Sequence, residues 1–222
     1  GGRYRWQGVE VVRGGQQGFV GRYPIHWHMM SYNMPNGMSL PSDGTFIGDI
    51  SGQFIRGCSI RDSAQRAIVV HGTCGAVVDD NVAYNITSNA IFLEEGAERR
   101  NYIRRNVVLK VRSPPNTTHP VTGASRRIRA FDASTGDFGP TGFWITNPDN
   151  TIVDNVCADA EGFGIWNSFA KKKSGMPGGC VGLSAQIAIT PSAIALTNHT
   201  GNTGHSCRLH GMATEFAMVD TA

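Results

Sequence analysis

Pro24-Ile25-His26-Trp27-His28, Ala67-Ile68-Val69-Val70-His71 and Ala90-Ile91-Phe92-Leu93-Glu94 read as one short strand written three times. Aligned in this way, His28, His71 and Glu94 share one column, and His26, Val69 and Phe92 share another. His71 and Glu94 stand 23 residues apart. A second set of residues advances at the same step. Asn81, Asn106, Asn155 and Asn202 each follow a short β-prone or polar run, and Cys58 occupies the same place one step before Asn81. Cys58 and Asn81 are also 23 residues apart, Asn81 and Asn106 are 25 apart, and the later steps of 49 and 47 are about double. Such a period, with several short strands in each repeat, fits a parallel β-solenoid. One coil cannot bury its apolar face alone, so coils stack and share a core. Stacked strands lie about 4.8 Å apart. Asn suits such a column because it tolerates a left-handed turn and its amide can bond the amide of the next coil. The Asn column is therefore expected to be structural.

The composition agrees with this architecture. Over 222 residues, Gly is frequent at 28 and charge is modest at 17%. No long segment carries a 3.6-residue apolar period, which points to many short strands and tight turns. The length suits one domain spanning 1–222, read as a piece of a longer protein because it opens abruptly at Gly1-Gly2-Arg3. A net charge of +3 is too mild for a nucleic-acid binder. The basic runs Arg99-Arg100, Arg104-Arg105, Arg126-Arg127 and Lys171-Lys172-Lys173 read as solvated loop charges, with attraction to an acidic polymer kept open. No apolar stretch reaches the roughly 20 residues a membrane span needs. Five cysteines, at 58, 74, 157, 180 and 207, have no zinc-knuckle spacing and leave room for one or two disulfides. The sequons at Asn85, Asn116 and Asn198 are candidate glycosylation sites. Together with the cysteines they suggest a secreted or cell-surface setting.

The doubled steps mark insertions. Residues 29–50 are rich in Met, Pro, Gly and Ser, residues 112–141 contain Pro114-Pro115 and Gly139-Pro140, and residues 170–193 carry three lysines and a Gly-Met-Pro-Gly-Gly run. Each is expected to leave the solenoid as a long loop, and loops of this length are often functional. Segment 29–50 has poor strand character, so it is not expected to hide a complete coil.

Several strings resemble one family. They are Gly15-Gln16-Gln17, Gly21-Arg22-Tyr23-Pro24-Ile25-His26-Trp27-His28, Arg66-Ala67-Ile68-Val69-Val70-His71-Gly72-Thr73, Asp80-Asn81-Val82-Ala83-Tyr84 and Phe92-Leu93-Glu94-Glu95-Gly96-Ala97-Glu98-Arg99-Arg100-Asn101. The family is the cell-migration-inducing hyaluronidase and transmembrane protein 2 group, with fibrocystin-like proteins, in which a G8 domain precedes a right-handed parallel β-helix. The resemblance is strong over residues 9–110 and weaker over 142–168 and 196–211. It implies an all-β, pectin-lyase-like right-handed parallel β-helix with long loops, outside the cell. Such a protein binds or depolymerises a glycosaminoglycan-like polysaccharide, hyaluronan in the best-known members. Neighbouring domains or chains are expected as further partners, nucleic acid is not. A non-catalytic adhesion or structural module on the same fold is the alternative. The chain departs from the pattern at Asn89, where the family often carries His, and in the length of 29–50.

Three readings of the His28, His71 and Glu94 column stay open. Two imidazoles and a carboxylate with open positions can hold a divalent metal, zinc or calcium being the candidates. Without metal, they can serve acid–base chemistry, with His71 as base and Arg66 neutralising a uronate in a lyase. Or the column is a hydrogen-bonded stack with no chemistry. Glu94 and Glu95 are adjacent and face opposite ways on a regular strand, so they are a poor glycosidase pair. Trp27, His26, Asn89 and Glu95 are expected to contact the substrate. Trp144 and Trp166 are expected to pack, and His199, His205 and His210 to be structural or on the surface. Alternation does not decide which face of these strands is core, because both faces carry apolar residues.

Overall fold

A computed structural model describes residues 3–17, 19, 21–33, 45–94, 96–114, 117–118, 125–126, 140–169 and 189–216. The first coil holds β1 (Arg5–Gln7), β2 (Glu10–Val12) and β3 (Ile25–His28). The chain then leaves the solenoid as a small antiparallel pair, β4 (Tyr32–Asn33) with β5 (Thr45–Phe46). The second coil holds β6 (Phe54–Arg56), β7 (Ser59–Ser63) and β8 (Ile68–His71), and the third β9 (Val77–Asp79), β10 (Val82–Thr87) and β11 (Ile91–Leu93). The fourth begins with β12 (Tyr102–Arg104) and β13 (Val107–Arg112). Another antiparallel pair, β14 (Thr117–Thr118) with β15 (Ser125–Arg126), intervenes before the coil closes with β16 (Thr141–Ile145). The fifth holds β17 (Thr151–Val153), β18 (Val156–Ala160) and β19 (Phe163–Phe169). The sixth holds β20 (Asn198–Thr200), β21 (Thr203–His205) and β22 (Met212–Phe216).

Equivalent strands of successive coils pair in parallel. They build three six-stranded sheets, β1-β6-β9-β12-β17-β20, β2-β7-β10-β13-β18-β21 and β3-β8-β11-β16-β19-β22. The protein is thus a parallel β-helix. The excursion after His28 does not contain a coil, since β3 pairs directly with β8 and His28 faces His71. The second excursion is framed by Arg112 at the end of β13 and Thr141 at the start of β16, so both of these residues belong to strands. Most of 170–193 lies outside the described residues; at its end Pro191–Ala193 forms a short 3-10 turn. No helix among the described residues is long and apolar enough to cross a membrane.

The core is a stack of matching rows. Ile25, Ile68, Ile91, Phe143 and Ile165 align coil upon coil, and Trp27, Val70 and Leu93 form the next inward row. All are buried within one apolar cluster. Each such side chain contributes about 1.5–3 kcal/mol on leaving water.

The corners explain the Asn column. The side-chain oxygen of Asn106 accepts from both the backbone N–H and the amide of Asn81, at 3.0 and 2.9 Å. Asn155 does the same for Asn106, and Asn202 for Asn155. Each amide also donates to a backbone carbonyl, as Asn106 does to Val78 at 3.0 Å. Cys58 holds the Asn position as expected, donating its N–H to Asn81 at 3.0 Å. The left-handed turn falls one residue earlier than expected. Gly57, Asp80, Arg105, Asp154 and Gly201 have φ of 58, 57, 53, 55 and 66°. The turn residue thereby points outward while the Asn points inward. At a non-Gly residue this conformation costs roughly 1–2 kcal/mol, which the ladder's buried bonds offset. A second ladder, unforeseen in the sequence, links Ala76, Asn101 and Asn150 at the preceding corner.

The disulfides for which the sequence left room are not formed among the described residues: Cys58, Cys74, Cys157 and Cys207 are free thiols. Cys157 and Cys207 meet on successive coils. The hydrogen bond between them, ahead of burial, raises the Cys157 thiol, and the same bond holds Cys207 down to about 6 against the opposing effect of burial. Cys180 lies outside the described residues.

Candidate functional site

The strand β3 turns Ile25 and Trp27 into the core, at 1% and 2% exposure, so His26 and His28 face outward. Strand period 2 then places Val69, His71, Phe92 and Glu94 on the same outward face. The outward row beside His26 is aromatic: Phe92, Trp144 and Trp166 follow one another from coil to coil. These residues pack with Tyr23, Val69 and Phe163 in a buried cluster, so Trp144 and Trp166 pack as expected.

His28 and His71 pair in register, with ring centroids 4.8 Å apart. His26 is their neighbour rather than a member of a separate row. Its ring lies 5.0 Å from that of His28 and stacks on that of His71 at 6.1 Å. The backbone N–H of Glu94 donates to Val70, which brings its carboxylate onto His71. Glu94 Oε2 and His71 Nδ1 are 3.7 Å apart, too far for a hydrogen bond. The compact donor set differs from the expected one. One nitrogen each of His26 and His71 and one oxygen of Glu94 lie within 4.8 Å of one another. His26 takes the place assigned to His28, because His28 projects further out, at the exposed rim.

Burial holds the His26 imidazolium down to about 4, helped by the neighbouring His28 and His71 charges and opposed by a bond to the Gly21 carbonyl. That bond, 3.2 Å from Nδ1, fixes the tautomer. A carbonyl only accepts, so Nδ1 carries the proton and Nε2 keeps its lone pair. His26 Nε2 and Glu94 Oε2 are both buried and have no hydrogen-bond partner.

Arg66 closes one side of the cluster. Its guanidinium lies 3.7 Å above the Phe92 ring and 5.1 Å from Tyr23, and it donates to the Tyr23 hydroxyl at 2.5 Å. Burial raises the Tyr23 phenol despite this cation. Tyr23 was not foreseen as part of the site; its place just before His26, in the same string, was the available signal. Glu98, fully buried, was also missed. Its carboxylate accepts N–H bonds from Gly72 and Gly96, both at 2.8 Å. One carboxylate thus pins the chain just after His71 and just after Glu94. Left-handed turns at Met29 and Gly72 bend the chain away immediately beyond His28 and His71.

Two expected substrate contacts are corrected. Trp27 is a core residue, edge-on to Tyr4. Asn89 is 1% exposed and its oxygen accepts the Thr141 N–H at 3.0 Å, fastening the point where the chain re-enters the solenoid. Glu95 and the sequon residue Asn116 lie outside the described residues. Asn85 is half-buried and its amide donates to Asp62 at 2.7 Å, whereas Asn198 is exposed. His199 is structural as expected, its ring between Asn167 and Asn202.

The family model described as the CEMIP beta-helix matches residues 1–212. Fibrocystin-L of Mus musculus is 32% identical over 159 residues, covering 71% of this chain and 3% of that protein. Cell surface hyaluronidase CEMIP2 of Homo sapiens is 30% identical over 201 residues, covering 86% of this chain and 13% of that protein. A G8 domain-containing protein of Dictyostelium discoideum is 29% identical over 210 residues, covering 92% and 13%. The chain therefore corresponds to a small part of each relative's length.

Proposed function

Because this chain belongs to the CEMIP beta-helix family, we propose that the outward face of its first three coils binds and cleaves an acidic, glycosaminoglycan-like polysaccharide outside the cell. The observation that supports this most is the gathering of His26, His71 and Glu94 beside the rim residue His28. Such a set brings a proton-moving imidazole next to a polar centre that can polarise the bond under attack. His28, the exposed member, moves the proton. His71 and Glu94 face the reacting group from below, and Arg66 meets the polymer's carboxylates. Arg66 suits that task because its flat guanidinium already stacks on Phe92 and matches a carboxylate in two-point geometry. The cell surface hyaluronidase among the relatives supports the choice of an acidic glycan.

The test is turnover of a size-defined hyaluronan, with related acidic glycans in parallel. His28→Ala and His71→Ala each lower turnover by about 100-fold or more, the usual scale for loss of a proton-transfer group, with circular dichroism unchanged. Arg66→Ala raises KM with a smaller effect on kcat. An unsaturated, ultraviolet-absorbing end on the product marks elimination, and its absence marks hydrolysis. Full turnover in both His variants would refute this reading. The similarity to fibrocystin-L favours a second reading, a binding module without turnover. That reading is upheld if the wild-type protein retains glycans and cleaves none.

A further inference from the structure

From this geometry we infer that His26, His71 and Glu94 form a binding site for a divalent transition-metal ion of the zinc type. The claim about the ion stands on the donor geometry alone; the use of that ion in glycan cleavage rests on the function proposed above. The three donor atoms lie within 4.8 Å of one another. Around a tetrahedral zinc, with bonds of about 2.0–2.1 Å, donor atoms stand about 3.3 Å apart. Side-chain torsions of a carboxylate and two imidazoles cover that difference without moving the strands.

Three further observations fit a ligand set better than a hydrogen-bonded stack. First, His26 Nε2 and Glu94 Oε2 are buried without a hydrogen-bond partner, and both belong to the donor cluster. Buried polar atoms left in this way cost stability unless something binds them. Second, His26 gives its other nitrogen to the Gly21 carbonyl. This outer contact is the kind that orients metal-bound imidazoles and leaves the inner lone pair ready. Third, Glu98 ties the ends of the two strands that carry His71 and Glu94 to one buried carboxylate. The backbone beside His71 and Glu94 is therefore held before any ion arrives, and only side-chain torsions remain to adjust.

The donors also select the ion. Two nitrogens and one oxygen suit zinc and its transition-metal neighbours, whereas calcium takes six to eight oxygens. That narrows the zinc-or-calcium expectation to zinc. Three protein ligands leave a coordination position open for water or substrate, as in catalytic rather than structural zinc sites. His28, with its ring 4.8 Å from that of His71, stands at the rim, outside the compact donor set.

The experiment is calorimetric titration of the metal-stripped full chain with zinc, cobalt(II) and calcium, without glycan. The expected result is one equivalent of zinc or cobalt, no calcium, and a 100-fold or greater loss of zinc affinity in His26→Gln, His71→Gln and Glu94→Gln. Unfolding midpoints measured in chelator confirm that each variant is folded. His28→Gln and Cys207→Ser retain affinity within about threefold, the latter testing the Cys157–Cys207 thiol pair as a competing zinc donor among the described residues. Zinc binding unchanged in His26→Gln, lost in Cys207→Ser, or absent in the wild type overturns the inference. Glycan turnover with and without chelator then separates the two claims. Binding with no turnover of any glycan leaves the metal site standing and removes the proposed function. Turnover that persists without bound metal removes the ion from the reaction.

Discussion

The Asn corner and the His–Glu column are built by the same device, yet one is closed and the other open. In both, a position recurs on successive coils, so like positions stack. An asparagine stack completes itself. Each carboxamide has an acceptor for the coil before and donors for a backbone carbonyl of that coil and for the coil after, and Asn81, Asn106 and Asn155 use them all. A stack of His and Glu does not complete itself. His71 and Glu94 stay 3.7 Å apart, and Glu94 Oε2 and His26 Nε2 have no hydrogen-bond partner. The contrast teaches that a solenoid column made of one self-complementary residue is scaffold. A mixed column that leaves buried lone pairs over, as at His26 Nε2 and Glu94 Oε2, is where chemistry can be placed.

The contrast breaks first, and most, at the middle of the ladder. Asn106→Ala removes the acceptor of two Asn81 donors and the donor to Val78 and Asn155. Orphaned buried groups cost about 1–3 kcal/mol each. The expected loss is about 3–5 kcal/mol, read from urea unfolding. Asn202→Ala acts on the half-exposed end of the same ladder, where water can replace the lost bonds, and costs about 1–2 kcal/mol. Equal losses at the two positions would mean that the ladder is not the unit of stability.

The solenoid was legible because its signals are periodic. The Asn column gave the step, and the poor strand character of 29–50, which left no room for a complete coil, placed His28 next to His71 across the excursion. The second ladder was missed because Asn101 and Asn150 are only two, separated by a doubled step. The orientation of the site was missed for a different reason. Ile68, Val69 and Val70 are all fully buried, so β8 carries no alternation to read. The inward face was set by the shared core, which claimed Trp27 and turned His26 outward. Asn89 looked like a site residue by its place before the Phe92-Leu93-Glu94 run. Its role depends on Thr141, 52 residues away, a contact without local signature.

The open column carries a pH signature that the Asn ladder lacks. His26 titrates near 4 in the folded protein and near 6.5 when unfolded. As pH falls from about 6.5 to 4, the unfolded chain gains a proton that folded His26 refuses. Stability therefore declines through that window and levels off below it. With allowance for solvent screening at this partly exposed group, the decline attributable to His26 is about 1–2 kcal/mol. Urea midpoints at pH 7 and 4.5, compared between wild type and His26→Gln, isolate it. An unchanged slope in the variant would show that the ring is not held neutral by its surroundings.

The smallest expected effect sharpens the comparison most. In metal-free protein, Glu94→Gln removes a charge from a carboxylate that makes no close hydrogen bond to His71. Breaking a buried ion pair that holds a fold together costs about 3–5 kcal/mol. Here the expected change is about 0.5 kcal/mol or less, because Gln fills the same space and Oε2 makes no hydrogen bond to lose. Urea unfolding in chelator measures it. A loss above about 2 kcal/mol would move Glu94 to the scaffold side, beside Asn106. A near-zero change together with lost zinc affinity would mean that the fold holds the carboxylate in place without depending on it for stability. That outcome separates a ligand from a rung of the ladder.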